Sequence, residues 1–401
     1  MSQKPLLSNG MNERRGRPDI YKFEKKLPMA YALLEKSSLS QRDKELIKGF
    51  IDHLRAQNVG IARLTKYIFT LKVIGEHLGV PFEQATRKEI ERFLAWLYSK
   101  EQGYSPQTTN DYAFFLKRFF KFVRSGNVDR DTPYPEEVRW VKKSIKLSET
   151  TQVGFFTPKE VEGMIAVCRN VRDRAMLAVG FEAGLRAGEL LGMNVGDVAQ
   201  EEKGARIKIR GKTGERSVLL VASSPLLSQY LETHPLIDDP GAPLWLTSSP
   251  NYKNQRQSWV HWNKTVKAVA REAGIRRRVH NHLLRHGSAT KNAQFLTDAQ
   301  MRVMYGWTMN SKMPSVYIHL SGGDLDARLM AINSGVPIQP PKPEFSQVIC
   351  PKCREKNSPG TRYCGRCGCP LNSEELARGG VEVQELKDKI DRILQGLQPG
   401  Q

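Results

Sequence analysis

Two arginine-bearing motifs and a late tyrosine form the most specific chemical pattern in this sequence. Gly184-Leu185-Arg186-Ala187-Gly188-Glu189-Leu190 comes first, and His282-Leu283-Leu284-Arg285-His286 follows. Gly306-Trp307 then leads to Ser315-Val316-Tyr317-Ile318-His319. Such a set suits attack on a phosphodiester without metal or nucleotide. The transition state of that attack gains charge on the nonbridging oxygens. Arginine stays protonated and presents paired planar donors that match them, so Arg186 and Arg285 could form a fixed clamp. A phenol with a pKa of about 10 is a weak nucleophile until a base or cationic surroundings assist it, and that is the part Tyr317 would play. His282 could accept a proton or bond a phosphate oxygen. Trp307 cannot act as a base, but its indole N–H donates one hydrogen bond and its ring can buttress a site. The leaving oxygen needs a proton, which a lysine on a hairpin can bring. Lys212, in the turn Gly211-Lys212-Thr213-Gly214, is that candidate, favoured by spacing over Lys208. The turn is not a nucleotide loop, because it lacks the glycine spacing and joins two strands instead of opening a helix. Taken singly, each of these residues reads as an ordinary surface or core residue. The order Arg, Lys, His-x-x-Arg, Trp, Tyr favours chemistry, since all the ordinary readings would have to hold at once.

A second cluster points to a metal. Cys350-Pro351-Lys352-Cys353 and Cys364-Gly365-Arg366-Cys367 are two Cys-x-x-Cys knuckles. Four thiolates can close a tetrahedral zinc site that folds a segment too small for its own core. Cys369 is a fifth candidate that could replace Cys367, although knuckle spacing favours Cys367. Lys352, Arg354, Lys356, Arg362 and Arg366 leave contact of this ribbon with DNA open. Cys168 stands alone in an apolar stretch and reads as a small buried hydrophobe. This distribution argues against a chain-wide disulfide framework and fits a reducing compartment.

The elements that must position these residues are mainly helical. Leu64, Tyr67, Ile68, Leu71, Ile74 and Leu78 recur at helical spacing, and Glu89 to Tyr98 makes another helix with Ile90, Phe93, Leu94 and Leu97 on one face. Ser105-Pro106 starts a helix that carries Tyr112, Phe115, Leu116, Phe119 and Phe120, a stripe read as bundle core. Asn127 to Thr150, with Pro133 and Pro135, reads as a linker whose Lys142, Lys143 and Lys146 are available to phosphates. Thr157-Pro158-Lys159-Glu160 reads as a capping box, and Arg172 to Leu191 as a helix pair around the first arginine motif. Ala205 to Arg210 and Arg216 to Val221 form a hairpin. Pro314 starts the short helix that presents Tyr317. Pro337 to Pro343 is a spacer, and a tail helix carries Leu386, Ile390, Ile393, Leu394 and Leu397 near heptad spacing.

Length and charge fit this organisation. A chain of 401 residues with 39% hydrophobic content suits two or three domains with real cores. A formal net charge of +20 predicts a polyanionic partner, nucleic acid before an anionic membrane. No apolar run approaches the roughly 20 residues that span a bilayer, and the polar stretch Met1 to Asp19 predicts no secretory signal.

On the two arginine boxes, the Gly-Lys-Thr-Gly turn, Ala289-Thr290 after the second box, Gly306-Trp307 and the Tyr317 segment, the chain resembles the tyrosine recombinase, or phage integrase, family over roughly residues 40 to 335. The match carries catalytic roles onto Arg186, Lys212, His282, Arg285, Trp307 and Tyr317. Trp307 stands where the family most often has histidine, and its distance to Tyr317 is one residue longer than usual. The resemblance implies a mainly α fold. Its parts are an N-terminal helix-bundle (SAM-like) core-binding domain, a mostly helical catalytic domain with a small β-sheet, and here a small zinc ribbon. The corresponding segments are a flexible basic arm (1–35), the core-binding domain (36–127), a linker (128–152), the catalytic domain (153–335), a proline-rich spacer (336–346), the zinc ribbon (347–371) and a C-terminal helix or tail (372–401). It further implies a site-specific recombinase or integrase that cuts and rejoins double-stranded DNA through a 3′-phosphotyrosyl intermediate. Such an enzyme needs no catalytic cofactor, assembles as a dimer to tetramer on paired sites, and works in the cytoplasm at the nucleoid. A type IB topoisomerase and a non-cutting DNA-binding regulator are the alternatives.

Overall fold

The computed structural model describes residues 11–12, 17–142, 154–211, 214–320, 333–334 and 344–372. The chain divides into two compact units, Met1–Gln152 and Val153–Gln401. Both are mainly helical.

The first unit begins with a short antiparallel pair, β1 (Met11–Asn12) and β2 (Arg17–Pro18). Among the described residues six α-helices follow: α1 (Phe23–Glu35), α2 (Gln41–Ala56), α3 (Ile61–Leu78), α4 (Arg87–Tyr98), α5 (Pro106–Ser125) and α6 (Glu136–Arg139). Helix starts are set by side chains. The Ser105 hydroxyl accepts from the Thr108 N–H with proline in the first turn of α5, and Thr86 and Glu89 form a capping box on α4. The apolar faces of α3, α4 and α5 meet in one core. Phe50 contributes from α2, edge-on to Tyr67 at 5.2 Å and to Phe119 at 5.3 Å. Tyr112 stays at the margin, 5.6 Å from Tyr104.

Two segments are more ordered than their composition suggests. The arm expected to run to residue 35 gives way to α1 at Phe23, because Ala30 and Leu34 bury fully against the bundle. The linker expected from residue 128 is partly core: Val138 and Val141 are buried. Lysines of α5 hold this stretch from below. The Lys117 ammonium donates to the carbonyls of Arg139 at 3.2 Å and Val141 at 2.8 Å, and Lys121 donates to that of Asp129. Lys142 is exposed; Lys143 and Lys146 lie outside the described residues.

The second unit opens with α7 (Pro158–Val167), whose Thr157–Glu160 capping box is present, and α8 (Val171–Glu182). After α9 (Ala187–Leu191) come β3 (Val198–Glu201), β4 (Gly204–Gly211) and β5 (Gly214–Leu220), an antiparallel sheet in that order. The expected hairpin is β4–β5, with Ile209 opposite Arg216 and Gly211 opposite Gly214. Ala205, Ile207 and Ile209 alternate inward and are fully buried. Helices α10 (Ser224–Glu232), α11 (Trp259–Glu272), α12 (His282–Asn292), α13 (Asp298–Tyr305) and α14 (Met313–Leu320) complete this part.

The cysteine segment folds around a two-strand pair, β6 (Val348–Ile349) and β7 (Lys356–Asn357), and packs on the same unit. Phe345 is buried, edge-on to Phe181 of α8 at 4.8 Å. The Ser358 hydroxyl accepts from the Leu226 N–H of α10 at 3.2 Å, and the Gln347 amide donates to the Val221 carbonyl at 2.8 Å. A Cβ at Gly360 would lie 2.5 Å from the Glu162 carbonyl oxygen, so the backbones are in direct contact there. The spacer Pro337 to Pro343 and the tail-helix residues Leu386 to Leu397 lie outside the described residues. Among those described, no helix is long and apolar enough to cross a membrane.

Candidate active site

The site is built where α9, α12, α13 and α14 converge. Chain direction changes sharply at Gly184, whose φ of +59° suits glycine. A Cβ there would sit 2.2 Å from the Tyr305 ring. That turn delivers Arg186 to the start of α9. Its backbone N–H donates to Glu189 Oε2 at 3.0 Å, and its guanidinium to Glu189 Oε1 at 2.8 Å. On α12, Gly287 lets the helix lie against the Phe156 carbonyl, only 2.0 Å from where a Cβ would be, and Arg285 points inward beside it. Arg285 is buried and donates to the carbonyls of Gly184 at 2.9 Å and Tyr305 at 2.7 Å.

Glu189 joins these groups. Arg186 at 2.8 Å, Arg216 at 2.9 Å and Arg285 at 3.7 Å all pair with its carboxylate. Burial alone would raise its pKa. The hydrogen bonds and charge of Arg216, with help from the Arg186 N–H and Arg285, instead bring it down to about 2. Burial and the neighbouring Arg186 charge lower Arg285 to about 10, so it keeps its proton at neutral pH. Arg216 also donates to the Met304 carbonyl at 2.8 Å, tying β5 to α13.

Three aromatic rings form a ladder beside Arg285. Tyr305 stacks on Trp307 at 4.9 Å, and Trp307 on Tyr317 at 5.5 Å with planes 4° apart. The Arg285 guanidinium lies 5.6 Å from the Trp307 ring centre. Tyr317 is 2% exposed, and its hydroxyl is 2.5 Å from His286 Nδ1. Burial pushes this phenol up to about 12, against the pull of Arg285. His286 is pushed down to about 4 by burial, then by His280 and Arg285. His282 is exposed at the mouth of the site, with its ring 4.6 Å from that of His286.

The structure thus brings Arg186, Arg285, His282, Trp307 and Tyr317 together. Lys212 lies outside the described residues, but the hairpin that holds it leaves the sheet at Gly211, whose Cβ position is 2.9 Å from Glu189 Oε1. Lys208, the alternative lysine, is exposed and paired with Glu215 at 2.9 Å. Of the crowded His280, His282 and His286, the sequence favoured His282 and not His286, and it offered nothing for Arg216. His286 could have been found as the residue one helical turn after His282. Arg216 had no signal, because only strand pairing aims it at Glu189.

The four sulfurs of Cys350, Cys353, Cys364 and Cys367 lie within 4.8 Å of one another, with Cys350 to Cys367 and Cys353 to Cys364 each 3.6 Å apart. Cys369 is not one of these four, and its sulfur donates to the Pro370 carbonyl at 3.6 Å. Backbone turns aim the four thiols: the Arg354 N–H donates to the Cys350 carbonyl at 3.0 Å and the Gly368 N–H to that of Cys364 at 2.9 Å.

Comparison with known proteins finds similar sequences and folds. Residues 154–322 match the phage integrase family model. The chain is 28% identical over 226 residues to tyrosine recombinase XerA of Pyrococcus horikoshii, covering 55% of this chain and 72% of that protein. It is 25% identical over 260 residues to tyrosine recombinase XerD of Pseudomonas aeruginosa, covering 62% and 84%. In fold it is similar to a lambda integrase dimer bound to a COC′ core site, with a TM-score of 0.55 at 16% identity over 74% of this chain and 81% of that one. Residues 154–322 thus carry a phage integrase family domain, and the chain is similar to tyrosine recombinases over more than half of its length.

Proposed function

We propose that this protein is a site-specific DNA recombinase that cuts and rejoins duplex DNA through Tyr317. The observation that carries the reading is the convergence of two guanidiniums and one phenol. Arg186 and Arg285 share Glu189, and Arg285 lies against the ring on which Tyr317 stacks. On this reading both arginines supply donors to the nonbridging oxygens, which gain charge in the transition state. The phenol oxygen forms a bond to phosphorus as the bond from phosphorus to the 5′ oxygen breaks. The phenol proton passes to a neighbouring base, and Lys212 gives one to the leaving oxygen. A 5′ hydroxyl from a partner duplex then reverses the step. Since the phosphotyrosyl bond keeps the energy of the broken one, no nucleotide is consumed. Tyr317 is buried, so DNA has to uncover it before attack. The net charge of +20 suits the partner, and DNA-bound dimers among the structural neighbours support assembly on paired sites.

The test is to incubate the protein with a nicked duplex that traps the adduct and to map the attached residue by peptide sequencing. A 3′-phosphotyrosyl link on Tyr317 is expected, as is strand exchange between two duplexes. Attachment elsewhere, or none, overturns the reading. Relaxation of supercoils without exchange would replace it with a topoisomerase.

The cysteine cluster fits a structural zinc. Tetrahedral coordination with Zn–S bonds of about 2.3 Å separates the sulfurs by about 3.8 Å, close to the 3.6 Å found. Cys350, Cys353, Cys364 and Cys367 would hold the ion, which supplies folding energy and no step of the reaction. Structural zinc binds small domains with roughly 10–16 kcal/mol, far more than a two-strand pair provides. Elemental analysis should therefore find one zinc per chain. A strong chelator should render residues 344–372 sensitive to protease and lower the melting temperature of the second unit through loss of the Phe345 and Ser358 contacts. Unchanged digestion and melting would rule out the metal's structural role.

A further inference from the structure

The family resemblance assigns His282 to the site, yet the group bonded to the nucleophile is its neighbour one turn on. His286 Nδ1 is 2.5 Å from the Tyr317 hydroxyl. The two residues come from different helices, α12 and α14, so this contact is a product of the fold and not of local chain geometry. In the tautomer with the ring hydrogen on Nε2, the phenol O–H donates and Nδ1 accepts. His282 instead lies exposed, its ring edge-on to that of His286 at 4.6 Å.

On the recombinase reading above, we propose that His286, and not His282, is the catalytic base that takes the proton of Tyr317. The proton moves along the existing bond to Nδ1 as the phenol oxygen bonds to phosphorus and the 5′ oxygen departs with a proton from a separate donor. In the reverse step the imidazolium returns its proton to the phenol as the oxygen–phosphorus bond breaks. Charge balance makes the transfer depend on DNA. The groups facing His286 are His280 from the preceding loop, His282 and Arg285 on its own helix, and Tyr317 on α14. Arg285 is a fixed positive charge that disfavours a second one on the imidazole. A bound phosphodiester brings a negative charge between Arg186 and Arg285, offsets that field and favours the imidazolium. The phenol therefore stays protonated until a phosphate is in place, and no free phenolate waits in an empty site.

The experiment is single-turnover adduct formation at saturating nicked duplex, with DNA binding checked by mobility shift. His286→Ala and His286→Asn are each expected to lose about 100-fold or more, the usual contribution of general base catalysis. Asparagine keeps an acceptor near the Nδ1 position but cannot take a proton, so it separates proton transfer from positioning. Added imidazole should restore part of the rate to His286→Ala and none to His286→Asn. The defect should persist on a duplex with sulfur at the scissile 5′ position, where the leaving group needs no proton. Several outcomes overturn the proposal. Near-normal rates for His286→Asn would reduce the residue to positioning. A faster His286→Ala enzyme would show the bond to be a resting latch. Cure by the sulfur substrate would make His286 an acid. Imidazole rescue of His282→Ala and not of His286→Ala would return the role to His282. No adduct from the wild-type protein would sink the recombinase reading itself, and this proposal with it.

Discussion

Tyr317→Phe is expected to bind DNA like the wild-type protein and to leave no covalent adduct on a nicked duplex. The substitution removes one oxygen. It keeps the ring that stacks on Trp307 at 5.5 Å, so the aromatic ladder and the Arg285 environment survive. The loss to stability is one buried hydrogen bond, to His286, worth about 1 kcal/mol. The loss to chemistry is complete, because no other phenol in the site can substitute. Tyr305 is fully buried, and its hydroxyl is held by Ser288 at 2.8 Å and Asn292 at 2.9 Å. A denaturing gel for adduct, a mobility shift for binding and a thermal scan for stability separate these effects. Adduct at the wild-type level would show that another residue carries the attack.

Glu189→Gln should have the second largest effect, on stability and activity together. The carboxylate is buried and compensates three arginines, of which Arg285 and Arg216 are almost fully enclosed. Leaving such cations without their counterion costs about 3–5 kcal/mol. For a unit of this size that lowers the melting temperature by roughly 10 °C. Arg186 loses the bond that fixes its guanidinium, so adduct formation should fall by about 100-fold or more even where the protein is folded. The pH dependence gives an independent check. Glu189 titrates near 2 in the folded protein against about 4.3 in an unfolded chain. Its contribution, about 3 kcal/mol, is fully present above that unfolded value and is lost as pH falls toward the folded one. The variant should lack this portion of acid sensitivity. A variant that melts within about 2 °C of the wild type, well under the shift a lost 3 kcal/mol implies, and cuts DNA normally would remove Glu189 from the centre of the site.

Much of the fold was legible because helices announce themselves locally. The apolar spacing of α3, α4 and α5 and the caps at Ser105 and Thr157 needed no distant partner to be read. The exceptions share a cause. Helix α1 reads as part of a basic arm because Arg14, Arg15 and Arg17 stand before it, and only contact with the bundle gives Ala30 and Leu34 something to bury against. Val138 and Val141 sit in a proline-rich stretch whose carbonyls are captured by Lys117 from a different helix.

In the site, residue type and order alone named Arg186, Arg285, His282, Trp307 and Tyr317 as candidates, since guanidinium, imidazole and phenol have fixed chemistry wherever they stand. Four cysteines in two knuckles likewise marked a metal site by type and spacing. Which groups touch is a different matter. The choice of His286 over His282 as partner of the phenol depends on where α14 settles against α12. The approach of Arg216 to Glu189 depends on which residue of β5 pairs with Ile209. The placing of Cys369 outside the four-sulfur group follows a left-handed backbone turn at Gly368. Each contact joins segments that the sequence keeps apart or offers as near equivalents, and a local pattern holds no information on the packing that brings them within bonding distance.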